Sequence, residues 1–429
     1  MKREKNNSIT NQNSIVEKKI YSKSDRAITL IALIVTIIVL LILAGVTINS
    51  VVGTDGVIKK SKIAVNEYKK KSEEEEKSIK DLVNIIDENV NETQEKYLKA
   101  GEYASNTDMY SDGTSLAVIP AGFTVSGISS ENKISSGLVI YKGDLSKADW
   151  STEKDASGNN IKRTYNQYVW IPCNESDYKR TEWGVEADGS PASRAFKDET
   201  ELASVTLSDF DKGNGLSTDI LNEIVNQISI EKKSIRKYGG FYIGRYEVGE
   251  GNVITQYKEP SSSSIWSKAY ENAKNIDVGS ASVSYLSSSY ARDTALNFIQ
   301  NNSEFKTYAS TRDNGSSGTD INENWQDKSV TYTDANGNPQ TKAAETATRL
   351  QTGVTTAKCN IYDMGGNVAE FTTELNPLTN GDNDATVVLR GGDYWGTDVW
   401  HTSPAGSRWD ANSGGASGGE GFRATLFIQ

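Results

Sequence analysis

From Ala27 to Ile48 the chain reads AITLIALIVTIIVLLILAGVTI, without one charged residue. A run of this kind is stable only where water is excluded, in a protein core or in lipid. Its 22 residues, if helical, would rise about 33 Å, against a hydrocarbon core of about 30 Å. Segment 27–50 is therefore expected to be a hydrophobic, membrane-spanning helix. Ahead of it, residues 1–26 form a polar leader with seven Lys or Arg against three acids. Such a flank stays in the cytoplasm and sends the rest of the chain outward, to a cell surface. The apolar run is too long for a cleaved secretory signal, and no A-x-A site follows it.

Segment 51–98 reads as a charged helical stalk. Lys69-Lys70-Lys71 is followed by Glu73 to Glu76, which pairs opposite charges at i,i+3 and i,i+4 spacing. Ile79, Leu82, Val83 and Ile86 leave one narrow apolar stripe for a partner or a neighbouring domain.

From about residue 107 to 429 the pattern changes to short apolar bursts between Gly, Ser, Asn and Asp. Ser115 to Phe123 (SLAVIPAGF) and Tyr168-Val169-Trp170-Ile171-Pro172 read as strands stopped by proline. Phe241 to Val248 reads as a half-buried strand after Gly239-Gly240. Trp266, Ala269, Tyr270 and Ala273 fall on one helical face, and Ala291 to Ile299 suggests a second short helix. Residues 155–160, 314–319 and 334–339 have loop composition. A net charge of −11 excludes the basic face a nucleic-acid partner needs. Two cysteines, Cys173 and Cys359, cannot staple a domain of this size; they could pair or remain buried thiols.

Val387 to Gln429 is firm at both ends and irregular between. It opens on an apolar run into Arg390-Gly391-Gly392 and closes on Gly421-Phe422-Arg423 and the apolar Ala424–Ile428. Trp395, Trp400 and Trp409 crowd the interior, and His401 is the only histidine in the chain. Rigid aromatics among Asp, Ser, Thr and Asn in a loop pinned at its ends suit a recognition surface. The expected ligand contacts lie in segment 393–412: Asp393, Trp395, Thr397, Asp398, Trp400, His401, Ser407, Trp409, Asp410 and Asn412. Tyr394 is expected in the core.

Six motifs run in one order: YVWIP at 168–172, GGFYIGRYEV at 239–248, IWSKAYENAKN at 265–275, IYDMGGNVAEF at 361–371, VLRGGDYW at 388–395 and GFRA at 421–424. In that order they resemble the formylglycine-generating-enzyme (sulfatase-modifying-factor) family, which implies a C-type-lectin-like fold. The whole chain is thus expected to be α+β, a long N-terminal helix followed by that domain. The family's enzymes need copper-binding cysteines after the Arg-Gly-Gly motif or, in an iron-dependent branch, several histidines. This chain has no cysteine after Cys359 and one histidine, so neither copper nor iron is expected and no catalysis is implied. The resemblance does imply a structural calcium on the side chains of Asp363 and Glu370 and the carbonyls of Gly366 and Val368, since hard oxygen ligands suit that ion. Capping of the turn by the same carboxylates is the alternative. Arg390 and Arg423 are expected to hold carboxylates or carbonyls.

Two further resemblances bear on display. Arg26-Ala27-Ile28-Thr29-Leu30-Ile31 resembles the junction of a type IV prepilin, which implies cleavage between Ala27 and Ile28 and assembly with other pilin subunits. Ala27 stands where that family has Gly, and Ala32 where it has Glu, which leaves an uncleaved membrane anchor open. A non-catalytic domain closing on Arg-Gly-Gly and Gly-Phe-Arg also resembles the variable target proteins of diversity-generating retroelements. The expected function is an adhesin-like surface protein that binds a protein or glycan. The alternatives are a structural minor pilin, an enzyme of the formylglycine-generating type, and a lectin using calcium directly.

Overall fold

The structure is a computed structural model. It describes residues 33–39, 97–183, 196–207, 212, 215–261, 265–302, 304–310, 322–376, 387–397, 401, 403–411 and 419–429. The chain divides into two compact units, residues 1–95 and 96–429. In the first, residues 33–39 form a helical stretch whose side chains are all exposed.

This corrects the expected fold class. The described residues are mixed α/β, and among them a long apolar N-terminal helix is not seen. Among the described residues no helix is long and apolar enough to cross a membrane. The described helical stretch, residues 33–39, rises about 10 Å, against a hydrocarbon core of about 30 Å. The rest of segment 27–50, the Ala27–Ile28 junction and the stalk up to residue 96 lie outside the described residues.

In the second unit the strands are, in chain order, β1 (Tyr103–Ala104), β2 (Asp108–Ser111), β3 (Leu116–Ile119), β4 (Phe123–Val125) and β5 (Val139–Lys142). Next come β6 (Gln167–Pro172), β7 (Gly240–Gly244), β8 (Ser282–Leu286), β9 (Val330–Thr333) and β10 (Pro339–Lys342). The last are β11 (Ala369–Leu375), β12 (Val387–Arg390), β13 (Arg408–Ala411), β14 (Glu420–Phe422) and β15 (Ala424–Ile428). The helices are α1 (Ile161–Thr164), α2 (Thr218–Tyr238), α3 (Trp266–Lys274) and α4 (Ser289–Gln300), with 3-10 turns at Ile134–Ser136 and Glu199–Ser204.

A curled antiparallel sheet in the order β1-β4-β5-β6-β7-β15-β8 carries the unit. Both faces of its inner strands are covered, which is why β5, β6, β7 and β15 are buried without alternation, whereas the edge strand β8 alternates. On β6, Tyr168 and Trp170 enter one core cluster and Val169 and Ile171 the other. Helix α3 packs Trp266, Ala269, Tyr270 and Ala273 into the first cluster. Helix α4 packs Ala291, Ala295, Leu296 and Ile299 into the second.

Helix α2 serves both clusters: Leu221 and Ile224 enter the first, Ile228 and Ile235 the second. Ser217 caps its start by accepting from the Ile220 amide at 3.1 Å, which satisfies one of the free N-terminal donors. Gly239 ends it at φ +75, a left-handed conformation that costs glycine little. A smaller sheet in the order β13-β12-β11-β14 lies along the C-terminal segment. Arg423 joins the two sheets, since β14 ends one residue before it and β15 begins one residue after.

Candidate functional site

The segment between β12 and β13 is a loop clamped at its base by buried charge. Arg390 donates to Asp293 Oδ1 at 2.6 Å, to the Ser407 carbonyl at 2.8 Å and to the Gly406 carbonyl at 3.2 Å. One guanidinium therefore ties the start of the loop to its end. Arg408 donates to the other oxygen of Asp293 and, at 2.8 Å, to Glu374. Arg180 also reaches Glu374. Arg390, Asp293 and Glu374 are fully buried. Burial alone would raise the Asp293 carboxyl, but Arg390 and Arg408 hold it below its ordinary range. Such an arrangement costs more to break than it gains by forming, so it fixes geometry.

The two glycines after Arg390 are required by close approach. Gly391 sits at φ +90, and a Cβ there would meet the Met364 carbonyl oxygen at 2.5 Å. Gly392 sits at φ +67, and its Cβ would meet the His401 carbonyl oxygen at 2.5 Å. The Arg-Gly-Gly motif is thus one clamp followed by two positions with no room for a side chain.

Within the loop, Asp393 is buried. It accepts from the Trp395 amide at 2.7 Å and faces His401 Nδ1 at 2.8 and 2.9 Å through its two oxygens. Its own amide donates to the His401 carbonyl at 2.8 Å. Burial pushes the Asp393 carboxyl up, and the hydrogen bond to His401 offsets only part of that. Tyr394 is buried, as expected, and lies edge-on to Trp395 with ring centres 6.2 Å apart. Trp395 is 51% exposed. No other aromatic side chain is exposed among the described residues.

The expected ligand contacts fall into three groups. Trp395 and Thr397 are exposed and His401 is half-buried. Asp393 and Ser407 are buried. Asp393 holds Trp395 and His401, and Ser407 bonds back to the Pro404 carbonyl at 2.8 Å through its hydroxyl. Trp409 is half-buried, packed on the first core cluster and edge-on to His401. The backbone of Asp410 pairs with Val388 in β13. Asp398, Trp400, Asn412 and the Asp410 side chain lie outside the described residues.

Of the side chains the resemblance implies for calcium, Glu370 is taken up by arginines and Asp363 is bonded through one oxygen only. Glu370 Oε2 is bonded by Arg292 and Oε1 by Arg423, the latter at 2.6 Å. Both oxygens a cation would need are already neutralised. Val368 donates its amide to Glu247 at 3.1 Å, and the Gly366 amide bonds the Gly391 carbonyl at 2.7 Å. Asp363 accepts from Thr355 at 2.5 Å through Oδ1, while Oδ2 has no donor. Among the described residues no three His, Cys, Asp or Glu side chains group to hold a metal. Arg423 also donates to the carbonyls of Gly244, Tyr362 and Asp363 at 2.9, 2.7 and 3.1 Å. Carboxylate and guanidinium thus staple the turn, and both Arg390 and Arg423 do the structural work expected of them. Cys173 and Cys359 are free thiols, pushed up by burial to about 12 and about 11.

Sequence reasoning missed Asp293 and Glu374, whose arginine partners are distant in the chain, and the hydrogen-bonding role of Asp393. Compared with known proteins, the chain matches no family model and no curated protein sequence.

Proposed function

We propose that residues 96–429 form a non-catalytic ligand-binding unit displayed at a cell surface. The observation that carries this reading is Trp395: a large indole left in solvent on a loop whose base is fixed by buried ion pairs. An exposed Trp has a solubility cost, and a rigid aromatic supplies contact area at little entropic cost. Trp395, Thr397 and His401 are the contacts, with Asp398, Trp400, Asp410 and Asn412 as their neighbours in sequence. The ligand is a protein or glycan. The six ordered motifs support kinship with the formylglycine-generating-enzyme family. The chain's single histidine and the lack of cysteine beyond Cys359 support a member without that chemistry. Display outside the cell is supported by the uncharged run 27–48 and its basic flank. Kinship with retroelement targets would make the exposed loop positions the variable ones.

The test is binding of the purified chain to a glycan array and to immobilised host-cell proteins, with Trp395→Ala beside it. The reading expects at least tenfold weaker binding in the variant at unchanged thermal stability. Equal binding by both chains would overturn it.

A further inference from the structure

Lys358 and Glu323 are buried to 1% and 0% exposure, with Lys358 Nζ at 2.7 Å from Glu323 Oε1. The Tyr308 hydroxyl donates to the same oxygen at 2.5 Å, and the Lys358 ammonium lies over the Tyr308 ring. That is the complete set of hydrogen-bond partners of these two groups among the described residues. An ammonium carries three donors and a carboxylate about four acceptor sites. Among the described residues two of the three donors have no acceptor, and Glu323 Oε2 is buried with no donor. Oε2 instead borders Gly365, where a Cβ would lie 3.2 Å from it. Asp363 acts on both groups by its charge and makes no hydrogen bond to either. Burial raises the Glu323 carboxyl despite Lys358. A buried ion pair is tolerated when its remaining donors and acceptors are satisfied, and this one leaves most of them bare.

We propose that Lys358 and Glu323 are joined by an intramolecular amide between Nζ and Cδ. An amide carries one N–H and one carbonyl, where the ion pair carries about seven donor and acceptor sites. The Tyr308 hydroxyl already serves the carbonyl oxygen. A proton passes from the Lys358 ammonium to the Glu323 carboxylate, and the freed lone pair of Nζ adds to Cδ, forming the C–N bond. The bond from Cδ to Oε2 breaks, and Oε2 leaves as water with the carboxyl proton and one amine proton. Nothing is oxidised or reduced, and no external reagent is consumed. The oxygen that leaves is the one the fold gives no partner. The bond closes a loop that contains β9 and β10, whose core cluster holds only Val330, Leu350 and Val354 as buried members.

Tryptic digestion of the natively folded full chain, followed by mass spectrometry, tests this. The expected result is a linked pair of peptides, one holding Glu323 and one holding Lys358, lighter than their sum by one water. Cleavage after Lys358 should be lost. Recovery of the two peptides unlinked, with full cleavage after Lys358, would overturn the proposal. The variant Lys358→Arg keeps the charge and cannot form the amide, so its digest should show no missing water at Glu323. A deficit that persists in that variant places the water loss elsewhere and also overturns the proposal. The readout is a mass, so it does not depend on the variant's stability.

Discussion

The Asp393 carboxylate holds the His401 imidazole through both of its oxygens, at 2.8 and 2.9 Å, while one of them also accepts the Trp395 amide. One buried group therefore sets the positions of the exposed Trp395 and the half-buried His401. Asp393→Ala leaves a buried amide and an imidazole nitrogen without that partner, at a cost of about 1–3 kcal/mol. Chemical denaturation should show the loss, and ligand affinity should fall although Asp393 is not exposed to a ligand.

Arg390 makes the base of the loop a single connected cluster. Replacing it with Leu leaves the Gly406 and Ser407 carbonyls without their donor and Glu374 and Asp293 with less positive charge. Breaking a buried pair by removing one partner costs about 3–5 kcal/mol. The unfolding midpoint should drop accordingly. An Arg390→Leu chain as stable as the parent would show that the cluster does not hold the loop.

Two buried carboxyls give stability a pH dependence near neutrality. Glu231 accepts from Gln227, Tyr178 and Ser288 at 2.8, 2.7 and 3.0 Å and forms no ion pair among the described residues. Burial pushes it up to about 7. Glu199, which accepts from the Ser289 amide at 2.7 Å and from Thr373 at 3.2 Å, is pushed up to about 7 by burial and then by Glu374. A carboxyl whose folded value lies above its unfolded one binds its proton more tightly in the fold. Its contribution is therefore complete below the ordinary value of 4.5 and is lost as pH rises through about 7. Denaturant midpoints should fall between pH 5 and pH 8, and Glu231→Gln should flatten that slope.

Gly137 has φ +89, and a Cβ there would lie 1.9 Å from the Cys359 carbonyl oxygen. Backbone cannot yield as the tip of a flexible side chain can. Gly137→Ala should destabilise by more than the roughly 1 kcal/mol of an ordinary glycine substitution. Thermal unfolding measures it, and a neutral outcome would mean that the 359–360 turn, where both residues have positive φ, shifts freely.

Local patterns were legible wherever local physics decided the outcome. The apolar spacing of Trp266, Ala269, Tyr270 and Ala273 gives α3, and the run stopped by Pro172 gives β6. The run from Phe241 ends as a strand at Gly244, because Arg245 turns to meet Glu131 at 2.8 Å and Glu247 turns to bond Asn367 at 2.6 Å. No pattern inside the run signals those distant partners. Helix α2 is marked in the sequence by Ser217, Gly239 and the spaced Leu221, Ile224, Ile228 and Ile235. Asp393 looked like a ligand contact because polar residues in an irregular segment usually face water. Its burial depends on the approach of His401 and of Gly419, whose Cβ would lie 3.0 Å from it. The buried frame under the site was illegible for the same reason: Arg390 and Asp293 are 97 positions apart.

Strand β15 lies inside the large sheet, between β7 and β8, yet it is translated after the whole candidate binding loop. A reading-frame slip anywhere in residues 393–419 replaces β15 with unrelated residues and removes an interior strand from the sheet. A missense change confined to Trp395 or Thr397 leaves that strand as it was. The large sheet is thus sensitive to the reading frame through the loop and insensitive to single substitutions within it, because its interior strand is made last.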